Sequence, residues 1–355
     1  VSLPASPPAT SARHAAPHSD IPDPAPPRHP QGGLKGVLLP VAVVLAIGTI
    51  FVSVYLAAFH APRPHDLPVA AVGTSHQADR LREGLDSGLP GGFDVRPYAD
   101  ERAARDAVEH RHVYAAYLPG TGHGDPKLLY AGANGPSVTG TLTGAFGPVA
   151  AAGGHRLAQE DVLPASAGDT RGLSIFYAAF GLVLAGYLFG MMTYQAAPVL
   201  RFRQRMASLA LFGVLGGIII ALVAGDTGFG ALPGSFVGIA GTIALMAMAA
   251  GGATMVFIKW AGAAGAGLAS VVLLTLGNST SGGVMPAPYL PGWLHPLSEV
   301  LPVAAGVRAL QGLAYFHNDG LGRGIAVLVV WIVACAGLLH LRDARDARKR
   351  TAPAS

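Results

Sequence analysis

Two stretches of this chain carry residues whose types and spacing do more than fill a core. The first is Gly277-Asn278-Ser279-Thr280-Ser281-Gly282-Gly283-Val284-Met285-Pro286. It follows an apolar run too short to span a bilayer comfortably, and it precedes a proline-broken amphipathic stretch and one last apolar span. A helix that stops at membrane depth and restarts survives only where protein or a watery cavity satisfies its freed backbone groups. The break is therefore where a pathway through a membrane protein is expected. The second stretch is Arg201-Phe202-Arg203-Gln204-Arg205, between two apolar runs. It reads either as a positive-inside anchor or as a docking site for an acidic or grooved partner, with Phe202 as buried anchor and the arginines at its rim.

Other chemistry is sparse. No Gly-x-x-x-x-Gly-Lys-[Ser/Thr] loop occurs: Lys35 precedes Gly36, Lys127 precedes Leu128, Lys259 precedes Trp260 and Lys349 precedes Arg350. If transport is driven by ATP, the phosphate-cradling loop belongs to another polypeptide. The apolar runs hold essentially no Asp, Glu, Lys or Arg, which disfavours a proton relay or a sodium site. Asp226 and Glu299 lie just outside spans; they read either as pathway residues or, the better fit, as solvated loop charges. Glu109, His110 and His112 cluster before a strand and read as a solvated helix end. No Ser/His/Asp set or carboxylate pair stands out, so no enzymatic activity and no cofactor are expected. The single cysteine, Cys335, excludes an intrachain disulfide and a Cys-based metal site. His14, His18 and His29 sit in a low-complexity tail and read as solvated. Asn278-Ser279-Thr280 matches a glycosylation triplet, a short pattern that is commonly accidental.

The elements that must position these residues follow from composition. The 355 residues are 51% hydrophobic and only 12% charged, against about a quarter charged in a soluble domain. The deficit lies in long apolar runs, which places the chain in the membrane class, and a net charge of +4 needs no nucleic-acid partner. Residues 1–33 form a Pro/Ala/His-rich tail expected to be disordered. Residues 34–59 hold the first span. A signal-peptide reading is weaker, because the tail and apolar core are too long and Phe59-His60-Ala61 is a poor cleavage site. Residues 60–172 are polar enough for a separate α/β domain. Its strands are expected at 67–73, 93–98, 113–118 and 127–131. Its helices are expected at 77–89, with Leu81, Leu85 and Leu89 on one face, at 101–110 capped by Asp100, and at 137–159. Residues 173–341 hold five more spans, at 173–196, 207–224, 236–258, 263–276 and 324–341, and 342–355 form a basic tail. Gly213, Gly216, Gly217, Gly238 and Gly241 are expected at helix contacts.

Orientation follows from Lys and Arg. With six spans and the N-terminus inside, Lys35, the 201–205 loop, Lys259 and the cluster Arg342, Arg345, Arg348, Lys349, Arg350 all fall in the cytoplasm. The α/β domain, the 225–235 connection and the 278–321 segment fall outside. Trp293, Tyr289, Tyr315 and Phe316 suit an interfacial belt. The 303–313 stretch, apolar at helical spacing with Arg308 and Gln311 as polar members, reads equally as a helix sealing the outer face and as one dipping into the outer leaflet.

The run Leu276-Gly277-Asn278-Ser279-Thr280-Ser281-Gly282-Gly283, then Leu290-Pro291, Leu301-Pro302, Arg308-Ala309-Leu310 and Tyr315-Phe316 before an apolar span, resembles the C-terminal part of ABC-2 type permeases. The bacterial forms with a large external domain, similar to the YhgE/Pip group, look nearest. The resemblance implies a six-helix permease in the plasma membrane, both termini cytoplasmic, that dimerises and pairs with a separate ATP-binding subunit. It implies that Arg201 to Arg205 form the coupling loop. It also implies that the segment carrying Gly277, Asn278, Ser279, Gly282, Gly283, Pro286, Pro291 and Pro302 forms re-entrant helices at an outer exit. Compact ABC-2 permeases lack the external domain, and some relatives of this type have no known ATPase. The alternative is a non-transporting surface protein, a receptor or envelope assembly factor, that binds a ligand through its external domain.

Overall fold

The structure, a computed structural model, describes residues 34–120, 122 and 124–351. The expected disordered tail at 1–33, with its three histidines, and the last residues of the basic tail lie outside the described residues. The fold divides between Val44 and Leu45, inside helix α1 (Leu34–Phe59), so the described residues of the first unit are the opening turns of that helix. The rest of α1 and every element after it belong to the second unit.

A five-stranded sheet follows α1. β1 (Leu67–Val72) pairs in parallel with β2 (Phe93–Tyr98) and β3 (Ala115–Leu118); β3 runs antiparallel to β4 (Lys127–Tyr130), and β4 runs parallel to β5 (Ala158–Asp161). The order β2-β1-β3-β4-β5 needs a crossover for each parallel step. These crossovers are α2 (Ser75–Gly88), α3 (Glu101–Glu109) and α4 (Pro136–Ala152). Strand side chains alternate between two faces. One face puts Leu67, Val69 and Leu128 against Leu81 and Leu85 of α2 and Leu142 and Phe146 of α4. The other puts Ala70, Ala116 and Leu129 against Ala104, Ala107 and Val108 of α3. Each large side chain so covered contributes about 1.5–3 kcal/mol.

Helix starts are read directly from the caps. Thr74 and Gln77 form a capping box on α2, and the Ala103 amide donates to Asp100 Oδ1 at 2.8 Å on α3; such caps are worth about 1 kcal/mol each. One expectation fails. The helix foreseen over 137–159 stops at Ala152, Gly154 takes φ +76°, and β5 follows. β5 is a polar edge strand held by charge: Glu160 meets Arg105 at 2.7 Å and Lys127 at 3.2 Å. The two guanidinium and ammonium partners, Arg105 foremost, draw the Glu160 pKa below its ordinary value.

Five helices are long and apolar enough to cross a membrane: Gly36–Phe59, Ser174–Gln195, Phe202–Ala224, Phe236–Ala261 and Leu321–Arg348. They suit a polytopic membrane protein. The last four belong to α5 (Ser174–Gln195), α6 (Phe202–Ala224), α7 (Phe236–Ala261) and α11 (Leu321–Thr351). The span expected at 263–276 is shorter: α8 (Ala263–Ala269) passes into eight residues of π-helix, Ser270–Gly277. At helical rise the pair covers roughly 20 Å, short of the ~30 Å hydrocarbon layer. It nevertheless begins beside Lys259 and ends next to the segment that packs on the sheet.

Helix α7 is the axis of the bundle, and small residues set its contacts. A Cβ on Gly186 or Gly190 of α5 would press on Ala250 and Thr254, and one on Gly213 or Gly217 of α6 would press on Met248 and Ala244. Gly238 meets Leu313 and Gly216 meets Leu182, whereas Gly241 faces open space and makes no such contact. Buried Thr193, Thr242 and Thr254 donate to Phe189, Gly238 and Ala250 carbonyls of their own helices.

Candidate functional site

The π-turns end at Gly277, and the polar run after it adds side-chain hydrogen bonds to the last carbonyls. Asn278 Nδ2 donates to the Leu274 carbonyl at 3.1 Å, Ser279 Oγ and Thr280 Oγ1 to Leu276 at 3.2 and 2.7 Å, and Ser281 Oγ to Asn278 at 2.8 Å. The Leu276 and Asn278 carbonyls also accept the Thr280 and Ser281 amides at 3.1 and 3.2 Å, so the side chains reinforce the last turn where a helix end is short of partners. All four side chains are buried. Asn278 is 1% exposed. Gly277 has no room for a Cβ, which would lie 2.8 Å from Val303, and Gly283 abuts Phe176 of α5 in the same way. Gly282 sits at φ +78°, a turn conformation that favours glycine.

The chain then folds back in short pieces. Pro286 leads a single 3-10 turn, Ala287–Tyr289. Pro291 opens the next turn, its carbonyl accepting from Leu294 at 2.8 Å. A four-residue helix α9 (Leu297–Val300) precedes α10 (Pro302–Ala314), in which Pro302 holds the first position, where no amide proton is needed. Helix α10 does not lie along the bundle surface. Val303, Ala305, Val307 and Leu310 share one core with α5, α7 and α11. Gly306 admits Met246 of α7, and Gly324 of α11 fits against Ala305 and Ala309.

The same segment grips the sheet from both sides. Met285 and Tyr289 are buried in the face that holds Leu142 and Phe146, and Phe316 is buried in the opposite face with Val108 and Leu129. The Leu290 and Leu294 side chains close a smaller core with Val54 and Ala58 of α1. The linker after β5 adds two ties: Ser166 Oγ donates to the Gly230 carbonyl at 2.5 Å, and Asp169 accepts from the Leu173 and Ser174 amides at 3.0 Å, capping α5.

Between sheet and segment lies a polar cleft of about 540 Å³, lined on one side by Arg111 and on the other by Glu299, Arg308, Gln311 and Arg323. Arg111 Nη1 donates to Gln311 Oε1 at 2.6 Å, and Gln311 Nε2 donates to the Gly282 carbonyl at 3.2 Å. The Arg111 guanidinium lies 5.1 Å from the centre of the Phe316 ring. Glu299 bridges Arg308 at 2.9 Å and Arg323 at 2.7 Å. Burial is the main influence on Arg308 and lowers its pKa; Glu299 opposes this, while Arg323 and Arg111 add to it. Arg111, His317 and Asn318 adopt positive φ at this junction, and the His110 ring lies 5.2 Å from His317. Glu299, expected as a solvated loop charge, is instead held by Arg308 and Arg323, and the His110 ring meets His317, whereas His112 and Asp226 are exposed as expected.

At the opposite end the 201–205 loop divides. Arg201, Arg203 and Gln204 are exposed, and Gln204 Oε1 accepts from the Arg201 amide at 3.0 Å, capping α6. Arg205 is not at a rim: it is 5% exposed and stacks 4.3 Å above the Tyr194 ring. Phe202 turns inward and meets His340 of α11 at 5.2 Å. Nearby, Lys259 pairs with Asp343 at 2.8 Å and Asp346 at 3.1 Å, and Arg342 lies over Trp260.

The structure therefore brings the break residues together beneath the sheet and leaves the 201–205 loop at the far end. Sequence reasoning missed Arg111 and Arg323 as cleft residues; the pairing of Arg111 with Gln311 joins positions 200 residues apart, and only Glu299, as a pathway residue, and the polar members of the 303–313 stretch, Arg308 and Gln311, hinted at the cleft. Compared with family models, with curated proteins and with solved structures, the chain has no match.

Proposed function

We propose that this chain is the membrane-spanning permease subunit of an ABC-2 type exporter, driven by an ATPase on a separate chain and acting as a homodimer in the plasma membrane. The observation that carries the reading is α10, enclosed by α5, α7 and α11 beyond a break whose carbonyls are satisfied by Asn278 to Ser281. That is the form a re-entrant helix takes at a pathway mouth. The 263–277 helix supports a sixth crossing, since it leaves the end that holds Lys259 and arrives beneath the sheet. With that crossing counted, Arg201, Arg203, Lys259 and Arg342 share the cytoplasmic face and the sheet domain lies outside.

Coupling follows from packing. Arg201, Arg203 and Gln204 present the exposed surface to the ATPase. Arg205 on Tyr194 and Phe202 on His340 fix the start of α6, so that a push on the loop moves the helix as a body. Helix α6 seats its glycines on α7, and α7 holds α10 through Met246 and Gly306. Purification of the tagged chain from native membranes tests the reading. A polypeptide with a phosphate-binding Gly-rich loop is expected to come along, and the pair Arg201→Ala and Arg203→Ala is expected to reduce its recovery at least tenfold with the chain's own yield unchanged. Unchanged recovery in the pair refutes the coupling loop.

The location of the cleft at the sheet junction, outside the bundle core, favours a second reading: a surface protein that binds a ligand there without transport. Absence of any ATPase together with ligand binding selects it.

A further inference from the structure

The cleft holds more positive charge than its own carboxylates neutralise. Three guanidinium groups, Arg111, Arg308 and Arg323, line it with two carboxylates, Glu299 and Asp319. Glu299 is shared between Arg308 and Arg323. Asp319 is drawn 3.5 Å to His112 on its other side. Arg111 donates to a neutral amide, that of Gln311. Arg308 Nη1 is buried and finds no acceptor among the described residues. A buried donor without a partner is uncommon and costly, and here it belongs to a charged group.

We infer that the cleft is a binding site for a small oxyanion, a phosphate or carboxylate group, which accepts from Arg308 Nη1 and lies between Arg111 and Arg323. Guanidinium forks match such anions in geometry as well as charge. Glu299 pairs with two of the three guanidinium groups, so part of the ordering is in place before binding. Phe316 backs the third. At about 540 Å³ the space admits a headgroup or a small metabolite. Because the same segment grips both sheet faces and carries α10 into the bundle, an anion here ties sheet domain to bundle. The inference rests on the proposed function only for its biological side; the binding itself is read without an ATPase.

The test uses the full chain in detergent and in nanodiscs. Inorganic phosphate titrated calorimetrically into the detergent sample reads a free anion. Nanodiscs of phosphatidylcholine with and without phosphatidylglycerol, assayed for lipid retained through purification, read a headgroup. Saturable binding of at least one probe is expected, weaker at higher salt. Arg323→Gln, at a side chain 67% exposed and safe for folding, is expected to weaken it about tenfold, the loss of one charge-assisted hydrogen bond. Arg111→Gln is expected to weaken it similarly, and Arg96→Gln, exposed on β2, to leave it unchanged. No saturable binding of either probe overturns the inference, as does binding in Arg323→Gln equal to the native chain. Failure here leaves ATPase recovery standing, and loss of the ATPase leaves this binding standing.

Discussion

Tyr289 is one of the side chains through which the 278–320 segment holds the sheet, and replacing it separates packing from polarity. It is 2% exposed, in one core with Leu142 and Phe146. Its hydroxyl is buried; Thr141 lies near, but no hydrogen bond forms with good geometry. Tyr289→Ala removes a whole aromatic ring from a close-packed core, a loss of about 3–5 kcal/mol. Tyr289→Phe removes only an unsatisfied oxygen and is expected to be neutral or slightly stabilising. Hydrogen exchange of amides in β1 and β3 reads the difference in the full chain. If the sheet opens as a unit, the Ala variant accelerates exchange by roughly a hundredfold to a few thousandfold, since each 1.4 kcal/mol is a factor of ten. Burial also pushes the Tyr289 pKa up to about 12. The folded-state value is raised, so its contribution is whole below the ordinary tyrosine value near 10 and is lost as pH rises through about 12. The Phe variant lacks this alkaline loss. Exchange in Tyr289→Ala within twofold of native, or equal losses in both variants, refutes the packing argument.

Helix contacts and the edge strand give two further expectations. Gly217→Leu drives a side chain into Ala240 and Ala244 of α7 and is expected to destabilise by about 1–3 kcal/mol, whereas Gly241→Leu, facing open space, leaves the thermal midpoint in detergent unchanged; equal midpoints contradict the contact. The Glu160 pKa is lowered by Arg105 and Lys127, so its hold on β5 is complete above the ordinary carboxylate value and disappears as pH falls through the depressed one. Limited proteolysis at the 153–157 turn is expected to rise over that acid range in the native chain and to be flat in Glu160→Gln. A native chain equally flat over that range sinks the assignment.

Much of the scaffold was legible because its signals are local. Asp100 caps α3 as its position implies, and Leu81 and Leu85 face the sheet as their spacing implies. Leu89 falls one residue past the end of α2, so that face is shorter than expected. The strand at 158–161 was hidden because it has no apolar alternation: an edge strand pinned by Arg105 and Lys127 reads as helix until those partners are in place. The pair Gly153-Gly154 was the signal available. The run at 263–276 reads as short in the sequence, but nothing in an apolar run distinguishes π from α turns. Arg205 reads as a rim residue in the sequence because charge pattern at a helix start does not say which side faces Tyr194. The 278–286 break was recognised as special from its glycines and prolines. Its partner Arg111 was not, since that contact is made by folding and not by spacing.

Everything functional depends on which side of the membrane each end occupies. An impermeant maleimide on intact cells decides it, with Cys335 buried and silent. Ala99→Cys, on the exposed rim of the sheet domain, and Arg203→Cys, at the α6 start, are the two reporters. The account predicts that the first is labelled from outside and the second only after permeabilisation. Labelling of both from the same side, or of the second alone in intact cells, contradicts it.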